Sequence, residues 1–245
     1  MIKSLTDKKL RKMMFLLLAG LSCVGVGAGV KFHEKPLSGY ITVTAHSGCM
    51  SLPDNSIEAM KAGIEAGAQI VEFDLNFTKD GEPVLSHDAP STGKRYVTPE
   101  EAFTFVANYP GIQMNIDVKN TEYIEKVPPL ADKAGVKSRI FFTGIGEEDV
   151  PCVREKCPGI PYYLNTSVKK SDDFQALCEK TAALGAVGIN INWKNASHRL
   201  VDAFHKNNMP VSVWTVNKAG RISKMSLLGV DNITTRRPDI ACKLI

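Results

Sequence analysis

Glu72 and Asp74 stand two positions apart in a β-rich run, with apolar Val71, Phe73 and Leu75 alternating against them. Residues two apart on a strand share a face, so the two carboxylates point the same way. Like charges on one face repel, and burying them is costly unless a cation lies between them. The same spacing recurs at Asp117 and Lys119 in the run 114–119. Glu72, Asp74 and Asp117 make an all-oxygen donor set, which suits Ca²⁺ or Mg²⁺ better than zinc. His46 ends one β-rich run and His87 another. Imidazole is accessible in both neutral and charged forms near pH 7, so the pair can act as general base and general acid. Lys119 can neutralise a phosphate oxygen. Taken singly, a histidine at a strand end is more often structural, and an E-x-D run is as often a solvated face.

The groups gain meaning from the elements that must carry them. Strand patterns fall at 41–45, 70–77, 83–87, 113–118, 139–143, 161–164, 186–192, 210–216 and 232–235. Amphipathic stretches lie between most of them. The stretch 56–66 follows Asn55, stops at Gly67 and repeats Ile57, Met60 and Ile64 at helical spacing. Thr98-Pro99-Glu100-Glu101 opens another, with a capping threonine, proline at the first position and acids in the first turn. The stretches 171–184 and 196–206 repeat the theme. Alternating β and α units imply a parallel sheet, and the length suits a (β/α)8 TIM barrel. One strand pattern is then in excess. Only residues 78–82 separate the second run from the third, too few for a parallel crossover, and Asp80-Gly81 is a hairpin signal. The run 83–87 should therefore return antiparallel along the second strand, as an extra hairpin arm that brings His87 back beside Asp74. The candidate residues all fall at C-terminal strand ends, where barrel active sites form.

The whole chain has 245 residues, is 44% hydrophobic and 23% charged, and can bury a large core. Its net charge of +4 is concentrated near the start, in Lys3, Lys8, Lys9, Arg11 and Lys12. The rest carries no charge run that would suggest nucleic acid. Those basic residues precede an uncharged apolar stretch at 13–30, about 27 Å long as a helix against a hydrocarbon core of about 30 Å. Residues 1–30 therefore read as a signal peptide, cleaved near Val26-Gly27-Ala28, or as an uncleaved signal-anchor in contact with the membrane. Either places residues 31–245, the barrel domain, outside the cytoplasmic membrane, anchored or secreted. Six cysteines are present, with no C-x-x-C pair and with Cys23 inside the apolar stretch. They suggest small buried side chains rather than a zinc or disulfide framework.

Several blocks occur together and in order. They are Ala45-His46-Ser47-Gly48, Pro53-Asp54-Asn55-Ser56, Val71-Glu72-Phe73-Asp74-Leu75 and Pro83-Val84-Leu85-Ser86-His87-Asp88. Asn115-Ile116-Asp117-Val118-Lys119, Val213-Trp214-Thr215-Val216-Asn217 and Gly229-Val230-Asp231-Asn232-Ile233-Thr234 continue the series. This pattern, over roughly residues 41–240, resembles glycerophosphodiester phosphodiesterases. The resemblance implies a TIM barrel whose divalent cation is held by Glu72, Asp74 and Asp117, with His46 and His87 as the acid–base pair. It implies Lys119 on the phosphate, Trp214 lining the substrate cleft, and a small-molecule glycerophosphodiester cleaved to glycerol 3-phosphate and an alcohol. Ser47 stands where the family usually has a phosphate-gripping arginine, and Asp117 where glutamate is common. Barrel lipases of the sphingomyelinase D type share two histidines and an acidic metal site. A catalytically impaired glycerophosphate-binding barrel is the third reading that Ser47 suggests.

Overall fold

A computed structural model describes residues 36–245; the readings made for residues 1–30 lie outside the described residues. The strands are β1 (Thr42–Ala45), β2 (Ile70–Phe77), β3 (Pro83–Leu85), β4 (Gln113–Val118), β5 (Ile140–Ile145), β6 (Tyr162–Asn165), β7 (Gly188–Asn192), β8 (Val211–Trp214) and β9 (Asn232–Thr235). The helices are α1 (Ile57–Glu65), α2 (Pro99–Ala107), α3 (Val127–Lys133), α4 (Val150–Lys156), α5 (Phe174–Ala183), α6 (His198–Lys206), α7 (Ala219–Leu228) and α8 (Pro238–Leu244). The strands form one sheet in the order β1-β9-β8-β7-β6-β5-β4-β2, and a further β1–β2 pairing closes it into a barrel. All of these pairings are parallel. The eight-stranded (β/α)8 barrel expected from the alternating pattern is the observed fold.

The excess strand behaves as the short turn requires. β3 pairs antiparallel with the outer half of β2, opposing Leu75 to Leu85 and Phe77 to Pro83. It is shorter than the run 83–87 suggests, but the amide of Ser86 still donates to the Asp74 carbonyl at 3.0 Å. The chain thus tracks β2 back to the level of Asp74 before it turns away. β5 also differs from expectation. Arg139 belongs to a 3-10 turn rather than to the strand, and its guanidinium reaches the carbonyls of Val106, Tyr109 and Ile112 at the end of α2. The Val106 and Tyr109 carbonyls also accept from the Tyr109 and Ile112 amides, so the guanidinium ties the start of β5 to the turn that follows α2.

Local signals set the helix starts. Thr98 and Glu101 form a reciprocal capping box ahead of α2, with Pro99 at the first helical position, worth about 1 kcal/mol relative to an uncapped start. Ser56, Asp173 and Ser197 cap α1, α5 and α6 through their side-chain oxygens. Gly229 ends α7 in the left-handed conformation. Strand residues facing outward meet the helices: Phe73, Ile116 and Phe142 are fully buried, as are Phe103 of α2 and Phe204 of α6. Residues facing inward are unusually polar, with Thr44, Glu72, Asn115, Thr143, Asn190, Ser212 and Asn232 all buried. Among the described residues, Cys49, Cys152, Cys157, Cys178 and Cys242 are free thiols, and no helix is long and apolar enough to cross a membrane.

Candidate active site

β2 is buried along its whole length, so the alternation read from the sequence becomes a division between two interiors. Val71, Phe73 and Leu75 enter the core between sheet and helices, while Glu72 and Asp74 enter the barrel. In the parallel register Asp74 lies opposite Asp117 on β4. One carboxylate oxygen each from Glu72, Asp74 and Asp117 lies within 4.8 Å of the other two. Lys119 reaches into this cluster, with its Nζ 3.0 Å from Asp74 Oδ1 and paired also with Asp117. Burial disfavours the ammonium, yet Asp117 and Asp74 more than reverse this and hold its pKa above the ordinary value.

One ammonium does not balance three carboxylates. Burial, reinforced by Asp74 and Asp117, raises the Glu72 pKa well above the carboxylate range. A divalent cation among these oxygens would remove that penalty, and an all-oxygen set suits a hard ion. The three residues therefore fit a hard divalent cation.

Each carboxylate is also fixed by a neighbour. The Ser47 amide donates to Glu72 Oε2 at 2.7 Å. Asn55 binds Asp74 reciprocally: its Nδ2 donates to Asp74 Oδ2, and its Oδ1 accepts from the Asp74 amide, both at 2.9 Å. Asn55 is buried and left-handed, at φ 60°, a conformation asparagine tolerates better than most residues. Thr143 Oγ1 lies 2.9 Å from Asp117 Oδ1 and 2.8 Å from Asn115 Oδ1. Gly144 follows at φ 77°, where an added Cβ would fall 2.4 Å from the Val118 carbonyl oxygen and 2.8 Å from Asp117 Oδ1. Such partners hold metal-ligating oxygens in orientation.

The two histidines approach from different directions. His46 follows β1, with its Nδ1 3.2 Å from Ser47 Oγ and 3.8 Å from Glu72 Oε2. Burial, then the nearby Arg236 guanidinium, lowers its pKa below the ordinary 6.5, so it is neutral at pH 7. His87 follows the β3 arm, is largely exposed, and places Nδ1 2.9 Å from Asp88 Oδ1. Both line one cavity of about 540 Å³ together with Glu72, Asp74, Asp117 and Lys119. Trp214, at the end of β8 and 37% exposed, forms part of its wall. Seven of the eight residues singled out in the sequence thus line one cavity. Ser47 does not: its side chain is buried beside His46, and its contact with the cluster is the amide bond to Glu72. Sequence reasoning gave no role to Thr143, Asn190 or Arg236, which also line the cavity, nor to Asn55 as the holder of Asp74. Asn190 Oδ1 has no hydrogen-bond partner, alone among the buried side-chain polar atoms of the described residues.

The glycerophosphoryl diester phosphodiesterase family model matches residues 46–98 and 93–240, from His46 through the last barrel strand. The chain belongs to the glycerophosphoryl diester phosphodiesterase family. Among curated relatives, YhdW of Bacillus subtilis is 26% identical over 241 residues, covering 82% of this chain and 96% of that one. The glycerophosphodiester phosphodiesterase of Bacillus altitudinis is 24% identical over 240 residues, covering 82% and 97%. Among solved structures, an Oleispira antarctica phosphodiesterase in complex with the product sn-glycerol-3-phosphate superposes with a TM-score of 0.69. It is 19% identical and covers 86% of this chain and 99% of that chain. A Thermotoga maritima glycerophosphodiester phosphodiesterase gives 0.64 at 21% identity, covering 84% and 99%. Glycerophosphoryl diester phosphodiesterases therefore share the barrel with this chain over nearly their whole length.

Proposed function

We propose that the protein hydrolyses glycerophosphodiesters to glycerol 3-phosphate and an alcohol, with His46 as general base and His87 as general acid. The observation that carries this reading is the meeting of two histidines and a three-carboxylate cluster in one cavity of a barrel of this family. Glu72, Asp74 and Asp117 would hold a Ca²⁺ or Mg²⁺ ion, which when bound supplies positive charge to a phosphoryl oxygen. His46, kept neutral by burial and by Arg236, takes the proton of the glycerol hydroxyl next to the ester. That oxygen attacks phosphorus. His87, on its exposed arm, gives a proton to the departing alcohol oxygen at the open side of the cavity. Water then opens the resulting cyclic diester, with the histidines exchanging roles. Lys119, anchored on Asp74 and Asp117, adds a fixed positive charge beside the phosphate, and Trp214 lines the substrate cleft.

The sequence of residues 1–30, basic and then apolar, supports a location outside the cytoplasmic membrane with contact to lipid through that segment. The mass of the mature N-terminus tests this: a full-length chain in the membrane fraction or a cleaved one outside agrees, and a full-length cytosolic chain does not.

A substrate panel tests the activity. Glycerol 3-phosphate released from glycerophosphocholine or glycerophosphoethanolamine supports the proposal. Turnover confined to intact sphingomyelin or lysophosphatidylcholine, or binding without turnover of any diester, would overturn it. The role of His87 has its own readout. His87→Ala should lose roughly 10²–10⁴-fold on an alkyl diester but far less on a nitrophenyl diester, whose leaving group needs no proton. Equal losses on both would remove His87 from the acid's role.

A further inference from the structure

Two permanently cationic side chains line the catalytic cavity, Lys119 and Arg236. Lys119 is committed, because its ammonium lies between Asp74 and Asp117. Arg236 directly follows β9, and its backbone is fixed by the donation of its amide to Asn217 Oδ1 at 2.8 Å. Its Nη1 pairs with Asp54 Oδ1 at 2.7 Å and donates to the Gly48 carbonyl at 3.2 Å. Nε and Nη2 have no partner among the described residues. A guanidinium carries five N–H donors in a planar fork that matches two oxygens of a phosphate. Here one nitrogen serves as the hinge pin, and the others remain available toward a cavity with no other uncommitted permanent cation among the described residues.

We propose that Arg236 is the phosphate anchor of this enzyme, a specificity-determining residue that binds non-bridging phosphoryl oxygens from the β9 side of the cavity. The inference rests on the phosphodiesterase reading above. Asp54 is its counterweight. The carboxylate orients the guanidinium but also competes with the substrate for the same positive charge. Ser47 offers no competing anchor, because its side chain is buried beside His46. The plainer alternative is a surface latch, in which the Arg236–Asp54 pair simply ties β9 to the loop before α1.

Anchor and latch differ in sign at Asp54, so the test pairs three variants, Arg236→Ala, Arg236→Lys and Asp54→Asn. It measures KM and kcat on glycerophosphocholine and, separately, the affinity for glycerol 3-phosphate by titration calorimetry. Deleting one charged hydrogen-bond donor from a ligand's site weakens binding by roughly 10–100-fold. An anchor predicts that Arg236→Ala raises KM and weakens glycerol 3-phosphate by that factor, with a smaller change in kcat. It predicts that Arg236→Lys recovers part of the loss, and that Asp54→Asn tightens glycerol 3-phosphate. A latch predicts that Arg236→Ala and Asp54→Asn shift every quantity in the same direction, together with the melting temperature, and this result overturns the proposal. So does an Arg236→Ala protein that binds glycerol 3-phosphate as the parent does. Failure of the two readings is separable. A parent that binds glycerol 3-phosphate through Arg236 but cleaves no diester sinks the activity and keeps the anchor. Normal turnover with Arg236→Ala sinks the anchor and keeps the activity.

Discussion

Replacing Asn55 separates the support of the proposed cation ligand Asp74 from the ligand itself. The side chain gives Asp74 two bonds at 2.9 Å, one to its carboxylate and one to its amide, and the position is 8% exposed. Losing a hydrogen bond to a charged group costs about 1.5–3 kcal/mol, and an unsatisfied buried amide about 1–3 kcal/mol. Partial entry of water sets the sum at roughly 3–5 kcal/mol for Asn55→Gly, which keeps the left-handed backbone free of strain. Asn55→Ala should lose roughly 0.5–1 kcal/mol more, because a Cβ at φ 60° opposes the backbone conformation by more than glycine's added chain entropy does. With Asp74 released, cation affinity should fall by roughly 10–100-fold, as it does when other supporting partners of metal ligands are removed. Urea unfolding without added cation gives the stabilities, and the cation concentration for half-maximal activity gives the second quantity. Both variants staying within about 0.5 kcal/mol of the parent, with an unmoved cation midpoint, would refute the reasoning.

Glu72 titrates in a way that stability should report. Its folded-state pKa is raised well above 4.5, first by burial and then by Asp74 and Asp117. Its favourable contribution is therefore present below that unfolded value and lost as pH rises through the raised folded one. Glu72→Gln, measured without divalent cation, should leave the melting temperature unchanged near pH 4 and raise it at pH 8; a drop at pH 8 would contradict this. Adding Ca²⁺ or Mg²⁺ should stabilise the parent and not the variant. For His46, held neutral by burial and by Arg236, the acid limb of kcat/KM should fall with a midpoint below 6.5, and Arg236→Gln should move it upward. A midpoint above 6.5 that ignores Arg236 would assign the limb to another group. Gly144→Ala, whose Cβ would sit 2.4 Å from the Val118 carbonyl oxygen and 2.8 Å from Asp117 Oδ1, should reduce cation affinity as strongly as Asp117→Asn. Unchanged cation activation in Gly144→Ala would show that the Asp117 loop yields freely.

Much of the site could be read from strand alternation and one turn. Glu72 and Asp74 share a face because apolar Val71, Phe73 and Leu75 require the other. His87 reaches them because residues 78–82 can only reverse the chain, and the β2–β3 pairing realises that reversal. Asp117 enters by the register of β2 on β4, which spacing alone could suggest but not fix. The barrel's closure depends on β1 pairing with both β2 and β9, a long-range fact that no local pattern contains. The supporting residues were hidden for the same reason. Asn55 sits before a helix and looks like flanking cap chemistry, yet its amide group turns inward to Asp74. Arg236 lies 188 positions from the Gly48 carbonyl it touches, and only the closed barrel brings the last strand beside the first. Ser47, at the position where the resemblance expects a phosphate-gripping arginine, keeps its side chain against His46 and gives its amide to Glu72. In that place a main-chain donor is what the fold uses.

The most direct measurement is the rate of glycerol 3-phosphate release from glycerophosphocholine by the purified protein, first stripped of metal by a chelator and then given Mg²⁺ or Ca²⁺. The arrangement of His46, His87 and the three carboxylates predicts no release from the stripped protein and restored release with cation. It also predicts a loss of roughly 10²–10⁴-fold in His46→Ala at saturating cation. Release that persists without cation, or that survives intact in His46→Ala, would contradict it.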